Sequence, residues 1–322
     1  MTRSTSNGSS IDIDSQQGPL LEGGCVALGF FDGCHLGHQK ILKTCRDVGG
    51  DNAAVFTFPN HPTTAIPGRE APRLVTTTWE RIGLIQDLGL KVFLKSFDRE
   101  FSSWSAEHFC SAILKEKLGV DHVVVGHDYR FGHRAAGDVA LLAELGAYYG
   151  FSCTVIGAVF HQGTEPFVIS STRIRQAVAE GDLMLAHQLM KRPFSIEGKI
   201  ISGDRRGRTI GFPTANLTFP EDKVTPPFGV VAVKVGLQDG RTVAGVANFG
   251  LRPTVGSLQK KTPLLEVHLF DFDEDLYGQK IRVDFHAFVR EERRFDSLDE
   301  LQTQIGSDAE RVRAFFERQA AE

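Results

Sequence analysis

From residue 25 to about residue 156, short apolar runs alternate with stretches whose apolar residues recur at helical spacing, and this alternation restricts the possible folds most. The runs fall at residues 25–31, 53–58, 91–94, 122–126 and 151–156. Between the first two, Ile41, Leu42, Cys45 and Val48 mark one helical face, and helices are predicted over about 79–88, 106–118 and 139–149. Strands separated by helices are joined by crossovers, so the expected domain is α/β, with a doubly wound parallel sheet covered on both faces. Past Ser171 two short helices, 172–180 and 182–190, are split at Gly181. The texture changes at Arg192-Pro193. Residues 194–289 carry short alternating runs separated by Gly, Pro and Asp clusters, which predicts an antiparallel sheet or small β-barrel. A C-terminal helix follows from about Ser297, with Leu298, Leu301, Ile305, Val312 and Phe316 as its apolar face. The expected organisation is a flexible tail over 1–22, a nucleotide-binding domain over 23–190 and a β-domain over 191–322.

Each part is long enough to bury its own core at a total of 322 residues. A formal charge of −4 argues against a nucleic-acid partner bound through bulk positive charge. No apolar run approaches the roughly 18–20 residues of a membrane span, so no membrane partner is expected. The five cysteines, Cys25, Cys34, Cys45, Cys110 and Cys153, are odd in number and without CxxC spacing, which suits reduced thiols in a cytoplasmic protein. The opening residues have neither the basic start nor the apolar core of a secretory signal. Nothing in the sequence specifies an oligomeric state.

Gly29-Phe-Phe-Asp-Gly-Cys-His-Leu-Gly-His38 joins the first strand to the first helix. Ligands of open parallel sheets bind at the C-terminal ends of the strands, where a helix N-terminus offers free N–H groups to phosphate. His35 and His38, three apart, share one face of that first turn. An arbitrary HxxH is more often a pair of surface histidines, but the strand–Gly–helix context here points to phosphate. A zinc site would need a third ligand that the sequence does not supply. Thr57-Phe-Pro-Asn-His-Pro62, Val125-Gly-His-Asp-Tyr-Arg-Phe-Gly132 and Ile169-Ser-Ser-Thr-Arg-Ile-Arg175 follow later strands and converge on the same sheet edge in a doubly wound fold.

Residues 198–217 contain four glycines, three arginines and one lysine, a cationic loop able to close over phosphates or equally a solvated hairpin. Thr214 and Asn216, two apart, share a face if the segment is extended, and their oxygens suit Mg²⁺. Glu266 stands in the otherwise apolar strand Leu264–Phe270. On an outer face it would be solvated; facing a pocket it could act as a general base.

Together FFDGCHLGHQ, TFPNHP, VVGHDYRFG and ISSTRIR resemble the nucleotidyltransferase module of bacterial bifunctional riboflavin kinase/FMN adenylyltransferases over about residues 23–190. GRTIGFPTAN, GVANFGLRPTVG, LEVHLFDFDEDLYG and VREERRFDSLDEL resemble the riboflavin kinase module of the same family over about 194–318. The resemblance implies ATP-dependent phosphorylation of riboflavin to FMN and adenylylation of FMN to FAD, with Mg²⁺ as cofactor. It implies a six-stranded barrel with a terminal helix. Gly29, Phe31, His35, His38, Asp128, Ser171, Thr172 and Arg175 would serve ATP for adenylyl transfer, with His35 and His38 catalytic. Gly203, Gly207, Arg208, Thr214 and Asn216 would serve MgATP for the kinase, Thr214 and Asn216 holding the metal. Glu266 would be the base, and Asn248, Arg252, Arg290 and Phe295 would lie near the flavin. Cys34, Asn60 and Val231 depart from the usual pattern. Two other functions are weighed beside this one: a single-activity adenylyltransferase acting on another phosphate ester, and a flavin- or nucleotide-binding regulator without catalysis.

Overall fold

The computed structural model describes residues 10–163, 165–201, 212–253 and 261–321. They divide into two compact units, one running through Ser171 and the other beginning at Thr172.

The first unit is a six-stranded parallel sheet, in the order β1-β4-β3-β2-β5-β6. Its strands are β1 (Ile11–Asp12), β2 (Cys25–Leu28), β3 (Ala53–Thr57), β4 (Lys91–Leu94), β5 (His122–Gly126) and β6 (Ser152–Ile156). Its helices are α1 (Leu36–Gly49), α2 (Thr78–Gln86), α3 (Ala106–His108, continued by a π-helical stretch Phe109–Lys117) and α4 (Val139–Tyr149). Because strand side chains alternate, each strand feeds two cores. Cys25, Ala27 and Val55 pack with Ile41 and Leu42 of α1 and Ile82 and Ile85 of α2. Val26, Leu28 and Phe56 pack on the other face with Phe109, Ile113 and Leu142. The expected doubly wound α/β fold is the one observed. Strand order reverses between β2 and β5, so the loops leaving these two strands diverge and open a crevice between them.

Two features of this unit differ from expectation. The expected tail 1–22 is structured from residue 10 onward. Ile11 and Asp12 pair with Phe93 and Leu94, Ile13 and Leu21 are buried, and Asp14 accepts a 2.8 Å ion pair from Lys95. The free edge of β4 and its apolar flank supply the partner that the polar local sequence conceals. A short hairpin, β7 (Phe160–His161) with β8 (Phe167–Val168), also goes unpredicted, its strands being too short to show a period.

The second unit begins inside α5 (Ser171–Ala179), at Thr172, and continues with α6 (Leu183–Met190), which packs on β9 and β14 of the barrel. The texture change at Arg192-Pro193 therefore marks a change of secondary structure within a compact unit. The barrel is closed, as expected from its short alternating runs. Its strands are β9 (Phe194–Ile201), β10 (Ala215–Thr218), β11 (Gly229–Gly236), β12 (Thr242–Pro253), β13 (Lys261–Leu269) and β14 (Lys280–Glu291). Phe194, Leu217, Val231, Phe249, Leu265 and Phe285 are buried along its strands. α7 (Leu298–Ala321) lies on the outer wall, where Val312, Phe315 and Phe316 meet Val230, Ala232 and Val246. Two forked ion pairs hold it there, Arg290 to the buried Asp308 and Arg313 to Asp271. Leu298, expected on the apolar face, is 67% exposed, because the helix is docked by its central turns. No helix among the described residues is long and apolar enough to cross a membrane.

Candidate functional site

At the sheet's switch point, β2 runs into a tight loop before α1. Phe31 adopts a left-handed conformation (φ 59°) and Gly33 follows at φ 77°. A β-carbon on Gly33 would stand 3.1 Å from Val75, so the left-handed turn and the close approach both require glycine there. The buried Asp32 carboxylate holds the loop from below. It accepts the Val75 and Thr76 N–H groups at 3.0 Å and the Thr76 hydroxyl at 3.1 Å, while Gly33 N–H donates to the same hydroxyl at 3.0 Å. Segment 75–77 is also the lead-in to α2, which starts with a Thr77/Glu80 capping box. Cys34 points inward, its thiol 3.4 Å from the Phe31 carbonyl, so this departure fills buried space.

His35 is the N-cap of α1: the His38 N–H donates to its Nδ1 at 3.3 Å. The two imidazoles stack at 3.6 Å between centroids, 19° from parallel. Gly37 lets them do so, since a β-carbon there would stand 3.1 Å from the His35 ring. Burial pushes His35 down to about 4, against the opposing pull of Asp32 and Asp128. His38 is held well below the ordinary histidine range by burial, then by the neighbouring His35 and the Arg81 charge. Both rings are therefore neutral at physiological pH. The Nδ1 of His38 is buried without a hydrogen-bond partner among the described residues.

The other expected residues divide into those the fold brings here and those it uses elsewhere. Phe31 contributes a buried ring rather than open surface, edge-on to His38 at 5.3 Å and packed over Gly29. Asp128, in the loop after β5, is exposed, and its charge reaches His35. The Ser171 hydroxyl donates to the Asp32 carbonyl at 2.8 Å, tying the last residue of the first unit to the same loop. Thr172 and Arg175 lie in the first turn of α5 and bond to each other at 3.1 Å. His61 caps the 3₁₀ turn Pro62–Ala65 and packs edge-on to Phe30 at 4.8 Å. Asn60 has a bridging job: its amide donates to the Phe97 carbonyl at 2.8 Å and accepts from the Phe97 N–H at 3.0 Å. It joins the loops leaving β3 and β4. The sequence reading misses Asp32 and Arg81. A carboxylate inside a Gly/Phe loop, and an arginine one helical turn before the buried Ile85, were the available signals.

In the barrel unit the antiparallel register aligns Asn216 of β10 with Glu266 of β13, and Glu266 with Asn248 of β12. The same row continues to Val230 of β11 and Arg290 of β14. Residues directly opposed across antiparallel strands share a face, so Asn216, Glu266 and Asn248 form a polar row on three neighbouring strands, interrupted at Val230, which packs under α7. Glu266 is half-buried between two amides, not a solvated surface carboxylate. Next to it is a cavity of about 690 Å³ lined by Thr214, Asn216, Asp273, Glu274, Leu276 and Tyr277. Asn216 is only 5% exposed, and its Oδ1 has no hydrogen-bond partner among the described residues. The Arg290 fork is occupied by Asp308, and Phe295 lies beneath both Arg290 and Arg293. Val231 is buried opposite Ala247, one position off the polar row, so that departure leaves the row untouched. Gly203, Gly207 and Arg208 lie outside the described residues, and for Arg252 only the β12 backbone is described.

Residues 19–173 match the family model described as FAD synthetase, and residues 190–316 the one described as riboflavin kinase. The bifunctional riboflavin kinase/FMN adenylyltransferase of Haemophilus influenzae is 38% identical over 301 residues, spanning 92% of this chain and 96% of that protein. The chain belongs to the bifunctional riboflavin kinase/FMN adenylyltransferase family. Its Escherichia coli relative of the same name is 40% identical over 298 residues, 91% of this chain and 93% of that one. A crystal structure from Streptococcus pneumoniae, solved under the name macrolide-efflux protein, superposes with a TM-score of 0.81 at 29% identity. It covers 94% of this chain and 97% of its own.

Proposed function

We propose that this chain makes FAD from riboflavin in two ATP-dependent steps, one under each of the two family models. Residues 23–190 would carry FMN adenylylation and residues 191–322 riboflavin phosphorylation. What supports the reading most is that a single chain spans both family models and carries, under each, a polar cluster suited to the corresponding chemistry.

In the kinase step the riboflavin 5′-hydroxyl attacks the γ-phosphorus of ATP, the bond to the β-phosphate oxygen breaks, and ADP leaves. Glu266 takes the hydroxyl proton, with Asn216 and Asn248 opposite it on the neighbouring strands. Asn248, Arg252, Arg290 and Phe295 are the flavin-side residues of this reading, with Arg290 ordered by Asp308. The orphaned Asn216 Oδ1 and the Thr214 hydroxyl fit a hard cation, and they would hold Mg²⁺ with the ATP phosphates. Bound there, Mg²⁺ neutralises phosphate charge. Gly203, Gly207 and Arg208 complete the ATP side in this proposal.

In the adenylyl step the FMN phosphate attacks the α-phosphorus of a second ATP, and pyrophosphate leaves. That nucleophile is already anionic and needs no base, so the residues work by position and charge. His35 and His38, kept neutral by burial, direct ring N–H groups and the α1 N-terminus at the phosphates. Ser171, Thr172, Arg175 and Asp128 are assigned to the same nucleotide. Reduced thiols throughout, with five free cysteines, accord with a cytoplasmic location.

The test is incubation of the protein with riboflavin and MgATP, with chromatographic separation of flavins. FMN followed by FAD supports the reading. Turnover of supplied FMN without riboflavin phosphorylation leaves a single-activity adenylyltransferase, and no turnover of either leaves a binding protein.

A further inference from the structure

Arg81 is among the largest side chains that the fold buries completely, and no motif of the family resemblance includes it. It sits on the first turn of α2, and its surroundings belong to the adenylyl-transfer site. Its guanidinium lies over the Phe30 ring at 4.1 Å, and its Nη2 donates to the Phe58 carbonyl at 2.7 Å. Phe30 is the residue between Gly29 and Phe31, and its ring also contacts His61. Phe58 begins the loop after β3. Arg81 thus joins the loop after β2 to the loop after β3. The same helix grips the first loop a second time at its lead-in, where Val75 and Thr76 hold Asp32. The His35–His38 turn follows directly on these two attachments at Phe30 and Asp32.

We propose that Arg81 is the positioning residue of the adenylyl-transfer site, holding the loop after β2 through Phe30 and the loop after β3 through the Phe58 carbonyl. The proposal rests on the assignment of His35 and His38 to ATP. An arginine suits both tasks: its planar fork stacks on an aromatic ring while donating sideways, and it keeps its charge at every relevant pH. A lysine can supply the charge but not the stack and fork together.

The charge has a direct consequence for His38. Burial, His35 and Arg81 all disfavour its protonation. The groups bearing on the adjoining His35 are Asp32 and Asp128, both favouring protonation there. Burial does most to keep His38 neutral, with a lone pair and an N–H available, and the Arg81 charge acts in the same direction. Without that charge, His38 protonates at higher pH and the two stacked rings repel.

The full-length protein is the material for the test, with the variants R81K, R81M and R81Q, the last two being independent neutral replacements. FAD formation from FMN and MgATP is measured from neutral pH down to the acid limit of the fold, and riboflavin phosphorylation is measured in parallel. Misplacing a phosphate-binding turn by an ångström costs up to about 10²-fold, so kcat for FAD formation should fall by about 10–10²-fold in all three. The acid limb of the profile should move to higher pH in R81M and R81Q and stay in place in R81K. Riboflavin phosphorylation should be unchanged. An acid limb that stays put in the neutral variants, or moves equally in R81K, would show Arg81 to be ordinary core packing. Wild-type rates in either neutral variant would overturn the proposal outright. H38A in the same assay keeps the two claims apart: an unaffected H38A removes the site assignment itself, whatever the Arg81 variants do.

Discussion

Asp32 carries the most concentrated set of hydrogen bonds in the nucleotide loop, and its replacement gives a graded prediction. Oδ1 receives three donors: the Val75 N–H, the Thr76 N–H and the Thr76 hydroxyl, at 3.0–3.1 Å. Oδ2 shares the Val75 N–H, at 3.1 Å. Asp32→Asn can keep its carbonyl oxygen in the Oδ1 position, so it loses the charge and the shared bond, about 1–2 kcal/mol. Asp32→Ala strands all three donors in a buried site. Each unsatisfied donor costs about 1–3 kcal/mol, and partial relaxation leaves a total of about 3–5 kcal/mol. For a unit of this size about 2–4 °C accompanies each kcal/mol, so D32A should melt roughly 10 °C lower and D32N about 5 °C lower or less. The assay is thermal unfolding by circular dichroism, paired with residual FMN adenylylation after heating. Riboflavin phosphorylation, housed in the other unit, is the internal control. D32A and D32N melting alike, or D32A within a degree of wild type, would refute the count of bonds. Equal loss of both activities would refute the confinement of Asp32 to one site.

Four further outcomes follow from the same geometry. Replacing His35 and His38 together by Ala should let FMN accumulate from riboflavin while FAD formation falls by roughly 10²–10³-fold, measured by chromatography; unchanged FAD output would relegate the pair to packing. Thr214→Ala with Asn216→Ala should abolish riboflavin phosphorylation and spare adenylylation of supplied FMN. Glu266→Gln should lower single-turnover FMN formation by about 10²–10⁴-fold while ATP affinity, read by titration, survives. The last outcome concerns pH. His35 is depressed from 6.5 to about 4 in the fold, so between those values the unfolded chain binds the extra proton. Stability should therefore fall as pH drops through that window, by up to about 3 kcal/mol from this residue. His35→Asn keeps an N-cap acceptor for α1 and should flatten the dependence of melting temperature on pH; an equally steep dependence would place the titration elsewhere.

The sequence by itself determined the two textures of the chain. A strand buried on two faces and a helix buried on one leave periods of 2 and 3.6 in their own residues, and those periods need no knowledge of the partner. The five longer parallel strands, the helices between them and the antiparallel barrel were legible for this reason. So were the motifs around His35 and His38, because that turn is built from ten consecutive residues. Tertiary structure decided what depends on a partner far along the chain. Ile11 and Asp12 form a strand only because β4 presents a free edge to them. Leu298 looks like core by spacing yet stays exposed, since α7 is docked by Val312 and by the pairs at Asp308 and Arg313. Arg81 reads as a charged helix residue until the loops after β2 and β3 close over it. Glu266 could equally have been a solvated surface carboxylate. Its placement between Asn216 and Asn248 comes from the register of three strands, and register is set by the closure of the whole barrel, which no local stretch of sequence encodes.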